Sequence, residues 1–152
     1  GANQKRYASI TPTESQLSAL FSLLSLSQVN KPSLSQLQQI YPKMSRLNIS
    51  ATGIWWLIGD HLQVQYNDER LSKIKVSPAV FAATQNDTQA PFLQAIIQLG
   101  LPTNKQSLLK QYADADDNID MVDLERDDFY LVAKYESDEA NSEIYELEIE
   151  YF

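Results

Sequence analysis

The chain is expected to be an α+β protein of two tandem repeats, each a helix-loop-helix followed by a small antiparallel sheet. Three observations predict this. Leu17 to Val76 runs two amphipathic helices and then short alternating strands, and Phe92 to Tyr151 runs the same order again. Ser and Thr capping patterns precede helices in both halves. Finally, Tyr145, Leu147, Ile149 and Tyr151 alternate with Glu146, Glu148 and Glu150, the period-two signature of a strand with one face packed and one wet. The expected boundaries are a flexible N-terminal tether over 1–10, a first repeat over 11–77 with two helices and three strands, a connector over 78–90, and a second repeat over 91–152 with two helices and two strands.

Gly1 to Ile10 is polar and lacks apolar periodicity, hence the tether. Thr11 is read as the N-cap of the first helix, with Pro12 at its first position and Glu14 three residues after the cap. Leu17, Leu20, Phe21 and Leu24 then make one apolar face. Ser33 and Gln36 form a capping box ahead of Leu34, Leu37, Ile40 and Tyr41, and Pro42 ends that helix. Gly53 to Ile58 is apolar and aromatic enough for a buried strand. Leu62, Val64 and Tyr66 alternate, Asn67 to Arg70 reads as a hairpin turn, and Ser72, Ile74 and Val76 alternate again.

Pro78 to Gln89 is small and polar, a connector. In the second repeat, Phe92, Ile96 and Leu99 face inward on a helix over Pro91 to Leu99, with Gly100 as its C-cap. Thr103 and Gln106 cap the next helix, which carries Leu108, Leu109 and Tyr112. Asp114 to Asp128 reads as an acidic loop, Phe129 to Tyr135 as a strand and Glu136 to Ser142 as a turn. The internal match extends to residues. Leu37 and Tyr41 recur as Leu108 and Tyr112, LQVQY at Leu62 to Tyr66 as LVAKY at Leu131 to Tyr135, and Ile74 and Val76 as Leu147 and Ile149.

Composition narrows the function. The 152 residues are 43% hydrophobic and 10% aromatic, enough apolar surface to fold without disulfides, and there is no cysteine for a thiolate metal site or nucleophile. No apolar run approaches the roughly 20 residues of a membrane span; Leu17 to Leu26 is interrupted by Ser18, Ser22 and Ser25. The charge is lopsided: eight basic and five acidic residues up to residue 87, then four basic and fifteen acidic, for a net charge of -8. Only Lys43, Arg46, Arg70, Lys73 and Lys75 could make a basic footprint, so a nucleic-acid partner is not expected. The chain starts with Gly1 in place of Met, so the start is read as processed, compatible with a lipid-bearing cysteine upstream.

Several constellations invite chemistry. Asp114, Asp116, Asn118 and Asp120 occupy positions 1, 3, 5 and 7 of a twelve-residue window ending at Glu125, the spacing of a calcium loop. Against it, the position that needs a glycine is Ile119 and a strand follows; the plainer reading is a solvated acidic loop. His61 could pair with Asp60 as a base, but neither a strained serine elbow nor a second histidine accompanies it. Trp55 and Trp56 are adjacent and so face opposite sides of a strand, one toward the core and the other toward an open face where tryptophan anchors partners. Tyr66, Tyr135, Tyr145 and Tyr151 fall in strands too, either as binding aromatics or as core.

This arrangement resembles the β-lactamase-inhibitor-protein-like (BLIP-like) fold and the related BamE/SmpA-OmlA family of outer-membrane lipoproteins. The most specific local similarity is IQLGLPTNKQSLLKQY at Ile97 to Tyr112, with Gly100, Leu101, Thr103, Gln106 and Leu108 in the matching places; Pro102 departs from the pattern. The first copy has Ser33 but no turn glycine, and neither copy has the usual Gly-x-Pro after its second helix. The resemblance implies a non-catalytic protein-binding module of the bacterial envelope, periplasmic or attached to the outer membrane, with no cofactor. The expected protein-binding residues are Trp55, Trp56, Tyr66, Tyr135 and Tyr145. Two alternatives stand beside it: an acidic inhibitor or immunity protein that occludes a basic enzyme site, and a calcium-stabilised binding domain with ligands Asp114, Asp116, Asn118, Asp120 and Glu125.

Overall fold

The computed structural model describes residues 12–27, 30–50, 53–59, 62–82, 90–101, 103–139 and 141–152. The expected tether over 1–10, the Thr11 cap, the Asp60 and His61 pair, Pro102 and most of the 78–90 connector lie outside them.

Helix α1, Glu14–Leu24, is capped by Thr13, not Thr11: its hydroxyl accepts from the Gln16 amide at 3.1 Å while the Gln16 side chain accepts from the Thr13 amide at 3.0 Å. Helix α2, Leu34–Ile40, carries the expected Ser33 and Gln36 box. Four strands follow, β1 Ser45–Ser50, β2 Gly53–Ile58, β3 Leu62–Asn67 and β4 Arg70–Val76, and then a single turn of helix, α3, Pro78–Phe81. The second half has α4 Ala90–Gln98 and α5 Lys105–Gln111, then β5 Asp116–Asn118, β6 Met121–Glu125, β7 Phe129–Tyr135 and β8 Ile144–Tyr151. Helix α4 ends as expected at Gly100, whose φ of 74° lets Leu101 N–H reach the Ile96 carbonyl. Helix α5 is capped by Asn104, whose side-chain oxygen accepts from the Ser107 amide at 2.8 Å, rather than by Thr103.

Among the described residues each half therefore has four strands, where three and two are expected from the sequence. Strand β1 is mostly polar and gives no strand signal in the sequence, and β5 is three polar residues inside the expected acidic loop. Both are edges, and an edge strand has a neighbour on one side only, so its apolar pattern is weak. All eight strands form one antiparallel sheet in the order β1-β2-β3-β4-β8-β7-β6-β5. The two four-stranded meanders meet where β4 pairs with β8, in the register Lys73 to Glu150, Ile74 to Ile149, Lys75 to Glu148 and Val76 to Leu147.

Pleating places Leu62, Val64, Ile74, Val76, Leu131, Ala133, Leu147 and Ile149 on one face, all at most 2% exposed. They join Leu20, Leu23, Leu24, Leu37, Ile96 and Leu108 of the helices in a single apolar cluster. Each such aliphatic side chain contributes on the order of 1.5–3 kcal/mol by leaving water. Irregularities recur at matching places. The register shifts between Gln65 and Tyr66, leaving Ser72 as an extra residue in β4, and between Lys134 and Tyr135, leaving Tyr145 as an extra residue in β8. The bulge explains why Ile144 is buried while Tyr145, expected on the packed face, is only half-buried.

Gly53 opens β2 with φ 149°, and a Cβ there would stand 2.9 Å from the Tyr66 carbonyl oxygen. At the β5–β6 turn Ile119 has φ 58° while 73% exposed, a left-handed backbone that a β-branched residue adopts at a cost. Because its side chain buries little, Ile119→Gly is expected to raise stability by about 0.5–1 kcal/mol, read as a melting midpoint roughly 1–4 °C higher. A midpoint equal to or below the parent's would mean that the turn does not hold Ile119 in this conformation.

Candidate functional site

Helices pack on one face of the sheet; among the described residues, no helix covers the other. The register lays out that open face in rows. One row runs Trp55, Gln65, Lys73, Glu150, Tyr130 and Glu125; the next runs Leu57, Gln63, Lys75, Glu148, Val132, Asp123 and Asp116. A third short row holds Glu146, Lys134, Met121 and Asn118.

The face thus has three zones. The β2–β3 wing is apolar and amide-lined, with half-buried Trp55 and Leu57 beside Gln63 and the buried Gln65. The centre is an ion-pair ladder. Lys75 lies 3.1 Å and Lys134 2.9 Å from the two oxygens of Glu146, while Lys73 lies 3.6 Å from Glu150 and 3.9 Å from Glu148. Burial pushes the Glu146 carboxyl up, but hydrogen bonds and charge from Lys134 and Lys75 outweigh it and hold it below the usual range. The β6–β5 wing is acidic, with Asp116, Asp123 and Glu125 around Tyr130, Val132 and Met121. Tyr130 donates its hydroxyl to Asp123 at 2.6 Å, and that hydrogen bond is the largest of the effects that push its pKa up to about 12.

Of the residues expected to bind a partner, only Trp55 lies on this face in regular strand geometry. Trp56 points to the other side and packs against the core, its indole nitrogen buried without an acceptor among the described residues. Tyr66 and Tyr135 are core residues, each 1% exposed, because they share the phase of Leu62 and Val64 and of Leu131 and Ala133. The Tyr66 hydroxyl donates to the Pro32 carbonyl at 2.8 Å. Tyr145 sits at the β8 bulge, half-buried. The ladder residues and Tyr130 were missed, although Lys-x-Lys in β4 and Glu-x-Glu-x-Glu in β8 place like charges on one side of each strand.

The proposed calcium ligands do not converge. Asp114 grips the Arg126 guanidinium with both oxygens, at 3.0 and 3.2 Å. Asp116 and Asn118 lie along β5, Asp120 is in the turn with its carbonyl accepting from the Tyr135 amide, and Glu125 ends β6 opposite Tyr130. Asn118 pairs with Met121, four residues before Glu125, which sets these two members of the set roughly 13 Å apart along the strand. Among the described residues, no three carboxylate or imidazole groups gather as a metal site would require. The hairpin has replaced the loop because Met121, Val122 and Leu124 pair with β7. Buried Lys105, 4% exposed, pins it, reaching Asp117 at 2.8 Å and the carbonyls of Ile119 and Asp138 at 3.0 and 3.1 Å.

Lys31 is the one strongly shifted cation among the described residues: burial pushes it down to about 7. Its ammonium donates to the carbonyls of Ser22, Ser25 and Leu23 at 2.5, 2.5 and 3.3 Å and lies 4.2 Å above the Tyr151 ring. Those contacts close the C-terminal end of α1 and occupy all three donors, so the group clamps a helix end instead of offering a lone pair. A groove of about 590 Å³ between α1 and α2 has, among the described residues, Glu14 as its one ionisable lining residue.

No family model, curated protein or solved structure matches the chain.

Two outcomes follow from this chemistry. Adding millimolar calcium is expected to leave the melting midpoint unchanged; a rise that grows with concentration would restore the calcium reading. Alkali should act strongly. Burial pushes Tyr41, Tyr66, Tyr135 and Tyr151 above the ordinary tyrosine range, and Tyr130 is raised by its bond to Asp123. A folded-state pKa above the unfolded value of about 10 gives stability that is complete below that pH and lost as pH rises past it. Tyrosinate absorbance is therefore expected to rise together with loss of sheet circular dichroism, above pH 10. Smooth titration of all tyrosines near pH 10 with the sheet intact would contradict the burial.

Proposed function

We propose that this chain is a non-catalytic protein-interaction module of the bacterial envelope, the folded part of an exported and lipid-anchored protein, built from two copies of one helix-helix-four-strand unit in the BLIP-like manner. Support for the two copies lies in matched irregularities. Ser33, Leu37, Tyr41 and Met44 correspond to Asn104, Leu108, Tyr112 and Ala115, a constant step of about 71 residues. In both places the residue after the helix has φ and ψ near the same unusual values, -120° and 75° at Tyr41 and -127° and 80° at Tyr112. The two bulges fall at corresponding positions as well.

The observation that carries the binding role is the open face itself: a wide sheet surface with Trp55 and Leu57 at one end and Tyr130, Val132 and Met121 at the other. Aromatic side chains on a rigid strand lose little entropy on docking, which suits them as anchors. The acidic-inhibitor alternative keeps one specific support, since Asp116, Asp123 and Glu125 gather on one wing of that face. Both readings share the surface and differ in the partner's charge.

A photo-crosslinking amino acid placed at Leu57 or Val132 is expected to give discrete adducts in cells that make the protein, whereas placement at Gln39 or Gln98 on exposed helical positions gives none. Adducts of equal yield from the helices, or none from the sheet, would remove the open face as the binding surface. A yield at Val132 that falls several-fold in high salt while that at Leu57 holds would favour the basic partner of the alternative.

A further inference from the structure

The seam between β4 and β8 has a property that pairwise ion bonds alone do not explain. Its register is palindromic in backbone terms: Ile74 faces Ile149 and Val76 faces Leu147, with Lys75 and Glu148 at the centre. If β4 and β8 are equivalent strands, as the two-copy reading above holds, either could pair with itself in a second molecule about the same centre. The apolar side of such a pairing would fit, because Ile74 and Val76 would meet Val76 and Ile74, and Leu147 and Ile149 would meet Ile149 and Leu147. The open side would not. Lys75 would face Lys75, and Glu146, Glu148 and Glu150 would face Glu150, Glu148 and Glu146 in a patch of like charge.

We propose that the lysines of β4 and the glutamates of β8 are a recognition code by which each half of the chain accepts the other half and rejects its own counterpart in a second copy. Exposed ion pairs stabilise little, and these are partly exposed, with side chains between 15 and 39% accessible. What they supply is a difference between pairings: attraction in the chosen one and repulsion directly across the strand in each competitor. The code also agrees with the lopsided sequence charge, positive up to residue 87 and strongly negative after it. Glu146, held between Lys75 and Lys134, ties the code to the next strand outward, β7.

Four full-length variants test this. Lys73→Glu with Lys75→Glu, and separately Glu148→Lys with Glu150→Lys, put like charges across the seam and are expected to melt several degrees below the parent. Combining all four substitutions restores opposite charges between 73 and 150 and between 75 and 148 but leaves a glutamate at 75 beside Glu146, and is expected to return the midpoint part of the way from the half-reversed variants to the parent, as a monomer. Replacing the same four residues by Gln removes both attraction and repulsion. After refolding from denaturant at high concentration, light scattering is expected to show this neutral variant partly as dimers and the parent as monomer. The proposal is overturned if the fully reversed variant is no more stable than the half-reversed ones, if the neutral variant is as wholly monomeric as the parent, or if the parent itself refolds as a dimer. None of these outcomes bears on partner binding by the open face, so failure here is separable from failure of the binding role.

Discussion

The pairing of β4 with β8 is the constraint on which the architecture depends. Each four-stranded meander could bury only part of its apolar face alone, and it is the ladder from Lys73 to Val76 against Leu147 to Glu150 that makes one eight-stranded sheet. With the seam closed, Ile74, Val76, Leu147 and Ile149 form the middle of a continuous apolar floor on which the helices of both halves rest. Small domains are marginal because too little of their surface is buried, and joining two floors into one raises that fraction.

Hydroxyl groups then fix how the helices sit. The Tyr151 hydroxyl crosses from the end of β8 to the carbonyls of Leu23 and Ser25, at 2.6 and 2.9 Å, where Lys31 also binds. Tyr66 reaches the Pro32 carbonyl just before α2, and Tyr41 reaches the Gln16 carbonyl on α1. These large side chains fill the space between layers; Tyr151 ends on carbonyls left over at the C-terminal end of α1, while Tyr66 and Tyr41 bond a carbonyl ahead of α2 and one in the first turn of α1. With the described helices all on one side, the other surface carries Trp55 and Tyr130 with no described helix over them.

Much of this was legible in the sequence, and the reasons for the exceptions are physical. Ser33 with Gln36 announced α2 because a capping box is a local device, and LQVQY and LVAKY announced β3 and β7 because central strands carry the full apolar alternation. The edge strands Ser45–Ser50 and Asp116–Asn118 carried no such signal. The side on which Tyr66 and Tyr135 lie was recoverable from their phase with Leu62 and Leu131, whereas Tyr145 was not, because a bulge shifts phase without marking the sequence. The calcium spacing at Asp114 to Glu125 misled for a related reason: alternate acidic residues make a cation loop only if the backbone curls around a point, and here Val122 and Leu124 are drawn into the sheet core.

The β4–β8 seam also dictates an order of events. Lys75 and Glu148 are brought side by side although more than 70 residues separate them along the chain, and β5, β6 and β7 intervene. Contacts of such long range are entropically late, so the central strands find each other only after the flanking hairpins exist. During synthesis the first meander must wait with its β4 edge open, and the last strand to emerge is the one that closes it.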